Sequence, residues 1–516
     1  MDLFEFNEVN LANALSNIYT PAVVIEQKNH FKYFLSYLGV DGLNAKSLLI
    51  EHDYINKDFL FDYASYYAFC FQPYPKTCKR VHFWDVRLPD DIIAQVCSGN
   101  VEECTLFTEH YLGFIVVKPI PVTVIGYSIL KTYTNGTAFG NRHFWGLRNY
   151  HIHLLGVEIT IESLAFQEQD SVLAACATTA IWSMLNKAAL DYHTVLKSPS
   201  QITKDAASLA NDGSRLFPNK GLDILQICQA IYNSGLVSEV KKADFSELAP
   251  DGSLIYHVSH SYLKQLLNAY STIGIPIILV VEVPINDSYG LHAITVSGFK
   301  KEPPILKAAN FLEISWLADN IEKIYAHDDQ HGPFVRVDFL AETEINTPWT
   351  SMHIDSLPTY VRNLIVPVYP KLRISYEDIK VLVLGLDRIL SVFFQNIVVG
   401  DLVWDVHVDF SVNYKEQIRQ SELDAADKLT FLQKSLPKYI WIASCYIGEN
   451  RIVDFTFDAT DVINGMIGLD VISYLPTGFK SALANFITVN RNLFDILFQH
   501  QASCNYYDFL INNLQA

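Results

Sequence analysis

The segment FQEQDSVLAACATTAIWSMLNKAA, residues 166–189, decides how this chain is interpreted. Asp170 or Ser171 is a suitable N-terminal cap, so we expect a helix to begin shortly before Cys176. A thiol at that end of a helix lies near the positive pole of the backbone dipole, which favours the nucleophilic thiolate. The apolar residues recur at the spacing of an amphipathic helix. They are Leu173, Ala177, Ala180, Ile181, Met184 and Leu185.

A histidine follows in a later strand. The stretch GLHAITVSGFK, residues 290–300, alternates in the manner of a half-buried strand, and His292 stands at its start. An imidazole there can face a cleft while Ile294 and Val296 pack into the sheet, and it can accept the thiol proton of Cys176. A lone strand histidine is usually structural. The order of a cysteine on an early helix and a histidine on a later strand favours catalysis.

A carboxylate is the third candidate. The stretch IYAHDDQHGPF, residues 324–334, predicts a strand that ends at two aspartates. We expect Asp328 to face His292 and to fix its tautomer, because it directly follows the strand. Side chains alternate along a strand, so Asp329 is expected to face solvent. Asn310 is the alternative, since it is nearer to His292 in the sequence, and an acidic turn without function is the structural alternative.

Upstream of Cys176, a glutamine offers a hydrogen-bond donor. The side-chain amide of Gln169 can act beside the backbone N–H of Cys176, and two such donors form an oxyanion hole. Gln167 is an alternative for the same role.

The order of elements predicts an α+β fold with three domains. Residues 151–345 read as helices followed by strands, which suits helices packed on an antiparallel sheet. Residues 1–150 predict a mixed α/β domain of unknown role. The stretch 346–363 is polar and contains prolines, so it predicts a linker. Residues 346–516 then form a further α+β domain of unknown role. Its pattern predicts a helix over 376–394, a strand over 402–410 and a helix over 414–434.

Composition excludes several classes of function. The 516 residues carry a formal charge of −18, which argues against general binding to nucleic acid or anionic membranes. We see no secretory signal and no apolar run of membrane-spanning length. The eight cysteines include no CxxC pair, so we expect free thiols in a reducing, cytoplasmic compartment. No metal site and no cofactor are expected.

These residues together resemble the papain-like cysteine peptidases, and within them the double-glycine-leader (bacteriocin-processing) branch. The resemblance covers about residues 155–340. It includes SPSQITKDAA at 198–207 and GLDILQICQAIYNSGL at 221–236 as the helical lobe, and IGIPIILVVEVP at 273–284 as the strand before the histidine. It implies a central papain-like domain in which Cys176, His292 and Asp328 are catalytic and Gln169 stabilises the oxyanion.

The chain departs from that branch in three respects. Ala177 stands where glycine commonly follows the cysteine, Gln169 lies slightly far from the cysteine, and the His–Asp separation implies an insertion over residues 300–320. Transporter segments and a phosphate-binding loop are missing from the sequence, so leader export is not implied.

Three functions are compatible with this pattern. The first is a cysteine peptidase that acts on a protein or peptide substrate. The second is an acyl or amide transferase that uses the same triad and resembles a transglutaminase. The third is an inactive papain-like domain that serves for binding or scaffolding.

Overall fold

The structure is a computed structural model. It describes all residues except 134–140, 171, 193, 209–220, 249–253, 286–287, 303–313, 342, 352–356, 396–400, 462–466, 477, 493–503 and 516. The described chain forms two compact units. The first unit comprises residues 1–259, 274–301 and 323–368, and the second comprises residues 260–273, 302–322 and 369–516.

The first unit contains a five-stranded antiparallel sheet in which sequential strands are neighbours. Its strands are Asp2–Glu5, Ser47–Tyr54, Cys78–Trp84, Tyr111–Val117 and Ile125–Leu130. The helix Asn29–Leu38 buries Phe31, Phe34 and Leu38 in the same apolar cluster as this sheet. The cluster also takes in Phe334, which lies close in sequence to the two aspartates.

A second, eight-stranded sheet carries the histidine and the aspartates. Its central strand Ile277–Ile285 pairs with Ser288–Lys301 on one side and with Thr359–Val368 on the other. As a result, six of its eight described strands close into a ring. The strands are Asn141–Phe144, Val237–Lys242, Ile277–Ile285, Ser288–Lys301, Ile321–Asp328, Gly332–Phe339, Glu344–Asn346 and Thr359–Val368. Two separate hairpins are Arg148–Leu154 with Val157–Ser163, and Phe245–Leu248 with Leu254–His257.

The helix Cys176–Tyr192, called the cysteine helix below, is buried along most of its length, with twelve of its 17 residues buried. The two helices that follow it begin with capping boxes, Ser198 with Gln201 and Asp223 with Gln226. The described helices of this unit are Glu8–Leu15, Ala22–Ile25, Asn29–Leu38, Lys57–Ser65, Tyr67–Phe69 (3-10), Ile92–Cys97, Val101–Glu109, Cys176–Tyr192, Pro199–Ala206, Ile224–Asn233 and Pro348–Ser351.

The second unit is built on a five-stranded sheet with helices around it. Its strands are Ser315–Trp316, Leu402–Phe410, Tyr439–Ile447, Asn450–Asp458 and Gly468–Ser473. Its described helices are His260–Ser271, Leu317–Asn320 (3-10), Tyr376–Phe394, Ser411–Gln420, Ala425–Leu432, Phe479–Val489 and Cys504–Gln515. The predicted helix over 414–434 is therefore two helices.

The α+β class is confirmed, but the boundaries of the compact units differ from the predicted domain boundaries. Neither 150/151 nor 345/346 separates the two units. The strand Asn141–Phe144 pairs with Ser288–Lys301, which ties the predicted N-terminal domain to the histidine strand. The predicted linker over 346–363 is wrong, because Thr359–Val368 is a strand that pairs on both edges within the eight-stranded sheet. Among the described residues, no helix combines the length and apolar character needed to cross a bilayer.

Candidate functional site

Cys176 is the first residue of the cysteine helix and is half-buried. The first N–H groups of any helix have no partner within it, so the backbone around Cys176 offers donors and the positive end of the dipole. Asp170, one of the two predicted N-terminal caps, lies six residues before the start of this helix and caps a turn instead. The carboxylate of Asp170 accepts the N–H of Val172 at 2.9 Å and thereby stabilises the turn that leads into the helix. Asp170 in turn accepts the Tyr67 hydroxyl at 2.6 Å.

His292 lies on the strand Ser288–Lys301, against which the cysteine helix packs. The hydroxyl of Thr295 donates to the carbonyl of Ala180 at 3.0 Å and joins the two elements near the site. The imidazole is buried, and the Cys176 side chain is among the groups that raise its pKa. Its Nε2 faces Oδ1 of Asp328 at 2.9 Å, which leaves Nδ1 as the ring nitrogen available to the thiol.

Asp328 ends the strand next to the histidine strand, as predicted, and both of its carboxylate oxygens accept hydrogen bonds. Oδ1 accepts Nε2–H of His292 and the backbone N–H of Gln330, the latter at 3.0 Å. Oδ2 accepts the indole N–H of Trp349 at 2.9 Å. Since all three partners are donors, both oxygens of Asp328 must act as acceptors, as they do in an ionised carboxylate.

Electrostatic interactions between His292 and Asp328 favour the charged form of both side chains. Burial alone would lower the pKa of His292, but the charge of Asp328 and its hydrogen bond, together with the Cys176 contact, raise it well above its ordinary value. Burial would likewise raise the pKa of Asp328, but the charge and hydrogen bond of His292 hold it well below its usual range. The imidazole is therefore set up to hold the proton that it takes from a thiol.

Asp329 does not face solvent, contrary to expectation. It is 3% exposed, and its Oδ1 lies 3.5 Å from Nε2 of His292. The strict alternation of strand side chains fails here, because the pairing register shifts between Ala326 and Asp328 and the strand ends at Asp328. Both aspartates therefore turn towards one imidazole. Asn310, the alternative third member, lies outside the described residues.

Trp349 is the site residue that sequence reasoning missed. It lies in the short helix Pro348–Ser351, inside the stretch predicted as a linker. Its indole donates to Asp328, and its ring centroid lies 5.1 Å from that of His292 and 5.4 Å from that of His331. A tryptophan in a polar stretch, flanked by proline and threonine, was the available signal.

The glutamine assignment stays a prediction. Gln169 is half-buried, whereas Gln167 is 6% exposed and its amide nitrogen has no hydrogen-bond partner among the described residues. A buried amide without an acceptor is costly, and an oxyanion would satisfy it. Both glutamines therefore stay candidates for the side-chain donor.

Among the described residues, one cluster brings three possible metal-ligand atoms within 4.8 Å of one another, from His292, Asp328 and Asp329. The Asp328 oxygens are already occupied by the donors of His292, Gln330 and Trp349. This arrangement suits proton transfer better than coordination.

We expect Trp349→Phe to lower the rate of the thiol reaction by about 10- to 150-fold, since a hydrogen bond to a charged group contributes about 1.5–3 kcal/mol. The ring contact with His292 is kept, and only the donor to Asp328 is lost. Trp145→Phe is the matched control, because that buried indole donates to the Ile275 carbonyl at 3.2 Å. Steady-state rates for both variants test this. An equal loss in both would show a general packing effect instead.

Comparison with protein-family models found none that matches the chain, and comparison with curated proteins found no similar protein. Any function assigned to the site therefore rests on its geometry.

Proposed function

We propose that this protein is a cysteine peptidase, which hydrolyses a peptide or isopeptide bond through Cys176, His292 and Asp328. The observation that carries the proposal is the buried His292, whose Nε2 lies 2.9 Å from Asp328 Oδ1 and whose pKa is raised by Asp328 and by the Cys176 side chain. A buried structural cysteine needs neither an imidazole nor a carboxylate in line behind it. The succession of a helix with the cysteine and a sheet with the histidine and aspartate supports a papain-like domain.

In the first step His292 takes the thiol proton, and the Cys176 sulfur attacks the carbonyl carbon of the substrate. The carbonyl oxygen becomes an oxyanion, which we expect the backbone N–H of Cys176 and the amide of Gln167 or Gln169 to stabilise. The imidazolium, held by Asp328, then gives its proton to the leaving amine, and a thioester remains on Cys176.

In the second step a water molecule attacks the thioester carbonyl. His292 takes a proton from that water and returns it to the sulfur, so that acid product and free thiol are released. An amine in place of water would give the transferase reaction. Hydrolysis needs only that water reach the thioester.

Location and partners remain part of the proposal. The seven cysteines with described side chains are all free thiols, which supports a reducing, cytoplasmic compartment and a protein or peptide substrate found there.

Selective labelling tests the nucleophile. We expect limiting iodoacetamide, and a peptide carrying a thiol-directed electrophile, to modify Cys176 first at neutral pH. Cys97 is the internal control, since it is exposed whereas Cys176 is only half-buried. Mass-spectrometric mapping after brief reaction gives the order. Faster labelling of Cys97 with both reagents would mean that exposure rather than the imidazole governs reactivity, and would overturn the proposal.

A further inference from the structure

A second carboxyl, that of Asp329, lies beside His292 and has no evident partner of its own. Its Oδ1 is buried and accepts no hydrogen bond from any described residue, while Oδ2 meets only the amide of the adjacent Gln330, at 3.5 Å. Nε2 of His292 lies 3.5 Å from Oδ1 of Asp329 but only 2.9 Å from Oδ1 of Asp328, to which it donates its hydrogen bond. Asp329 is thus close enough to interact with the charge of His292, but Asp328 accepts the hydrogen bond.

Leaving a carboxylate in this position is costly. An ionised carboxylate loses its hydration on burial, and without donors it regains little of that free energy. The carboxyl therefore has two ways to be stable: it keeps its proton, or it ionises while the neighbouring imidazole is positive.

The other titratable groups around Asp329 do not supply a charge. His30, on the helix Asn29–Leu38, contacts the Asp329 carbonyl oxygen through Nε2 at 2.8 Å, and burial lowers the pKa of His30. His327 accepts the N–H of Phe334 at Nδ1 and contacts the Leu164 carbonyl through Nε2, which holds a neutral tautomer.

The remaining neighbours lead to the same conclusion. Burial lowers the pKa of His327 to about 4, and burial also lowers the pKa of His331, which lies near Asp328. At neutral pH the charges facing Asp329 are therefore the positive His292 and the negative Asp328.

A small cavity of about 10 Å³ adjoins Asp329. Thr179 and Ser183 of the cysteine helix and Thr295 of the histidine strand line it. The Ser183 hydroxyl is buried and has no hydrogen-bond partner among the described residues. Hydroxyl oxygens accept as well as donate, so this lining suits the O–H of a protonated carboxyl.

We propose that Asp329 is a second acid of the site, a positioning residue that holds a proton where an exposed aspartate would be ionised and that, once ionised, strengthens the positive charge on His292. The effect of Asp329 on catalysis rests on the proposed function. The titration itself is a property of the folded protein. Burial raises the pKa of Asp329 to about 7, with His292 opposing and Asp328 adding to the shift.

The sign of the effect on stability follows. Between about pH 4, where an unfolded aspartate ionises, and about pH 7, the folded state binds one proton more than the unfolded state. Asp329 therefore makes the protein progressively less stable as pH rises through this window. Asp329→Asn cannot ionise, so the variant gains stability relative to the natural protein from pH 4 to 7 and no more above it.

The first measurement is the melting temperature of Asp329→Asn and of the natural protein at several pH values. We expect the difference between them to grow by several degrees in favour of the variant from pH 4 to 7. Asp338→Asn is the control, because Asp338 lies on the adjacent strand, is 41% exposed and pairs with Lys323. The difference in melting temperature between Asp338→Asn and the natural protein should stay constant over this pH range. A constant difference for Asp329→Asn as well would overturn the inference.

The second measurement follows His292 directly, by NMR of the protein with labelled histidine. The signal is identified by its loss in His292→Gln. We expect the titration midpoint of His292 to fall by about one pH unit in Asp329→Asn, because a negative charge within 4–6 Å is removed. An unchanged midpoint would overturn the inference. If the asparagine variant does not fold, Asp329→Ser removes the charge with a smaller side chain, and the same outcomes apply.

These measurements need no substrate, so they separate the two proposals. A protein that shows both shifts but hydrolyses no peptide contradicts the proposed function and leaves the role of Asp329 intact. A peptidase without either shift contradicts only the role of Asp329.

Discussion

Cys176→Ala should abolish peptide hydrolysis, with kcat lowered by about 10⁴-fold or more, while the protein stays folded. Removing a nucleophile eliminates the covalent route, and only binding and the oxyanion donors remain. Alanine is a strong helix former, and the neighbours Ala175 and Ala177 show that small side chains suit this turn. Rates on a cleavable peptide and the melting temperature of the purified variant check both parts.

The control for this loss is Cys228→Ala. Cys228 is a free, half-buried thiol on the helix Ile224–Asn233 of the same unit, without a described histidine contact. Its variant should keep full activity. Hydrolysis that survives in Cys176→Ala but disappears in Cys228→Ala would place the nucleophile elsewhere.

The second large effect concerns Asp328. We expect Asp328→Ala to lower kcat by about 10³- to 10⁴-fold, as loss of the orienting carboxylate does in catalytic triads. Without the carboxylate, burial dominates and the pKa of His292 falls, so the alkaline limb of the pH–rate profile moves to lower pH. A purely structural role for Asp328 would lower the rate at every pH without moving the limb.

The asparagine variant makes a sharper test. In Asp328→Asn the amide oxygen can still accept from His292 and Gln330, but the amide nitrogen then faces the indole N–H of Trp349, donor against donor. We expect an activity between those of the natural protein and Asp328→Ala. Adding Trp349→Phe removes the opposing donor and should raise the activity of the asparagine variant about tenfold.

The same tryptophan change is therefore expected to lower activity in one background and raise it in the other. Kinetics of the natural protein, the two single variants and the double variant form a complete cycle. If Trp349→Phe lowers the rate equally in both backgrounds, the indole does not act through Asp328.

Parts of the fold followed from local pattern. The helix Tyr376–Phe394 and the strand Leu402–Phe410 occur at their predicted bounds, because apolar periodicity and the Ser375 cap specify them locally. The helix over 414–434 was predicted as one element but is two, Ser411–Gln420 and Ala425–Leu432. The break lies at SELD, residues 421–424, where Ser421 and Asp424 favour caps and turns over a helix interior.

The linker over 346–363 shows where local pattern was insufficient. Polar residues alternate with apolar ones in TYVRN, the last five residues of the predicted linker, and the structure uses them as the first half of the strand Thr359–Val368, which has neighbours on both edges. Whether such a stretch is a loop or a strand depends on partners far away in the sequence, which no local window contains.

The sequence by itself determined the α+β class and placed Cys176 near a helix start, His292 in a strand and Asp328 at a strand end, since these are local features. Only the tertiary structure decided that Asp329 turns inward and that Trp349 joins the site. Both depend on long-range geometry: a register shift at the end of one strand, and the positions of Pro348–Ser351 and Thr359–Val368 beside the sheet that carries His292. Such contacts form between residues distant in sequence, and they are selected by packing rather than by local conformational preference.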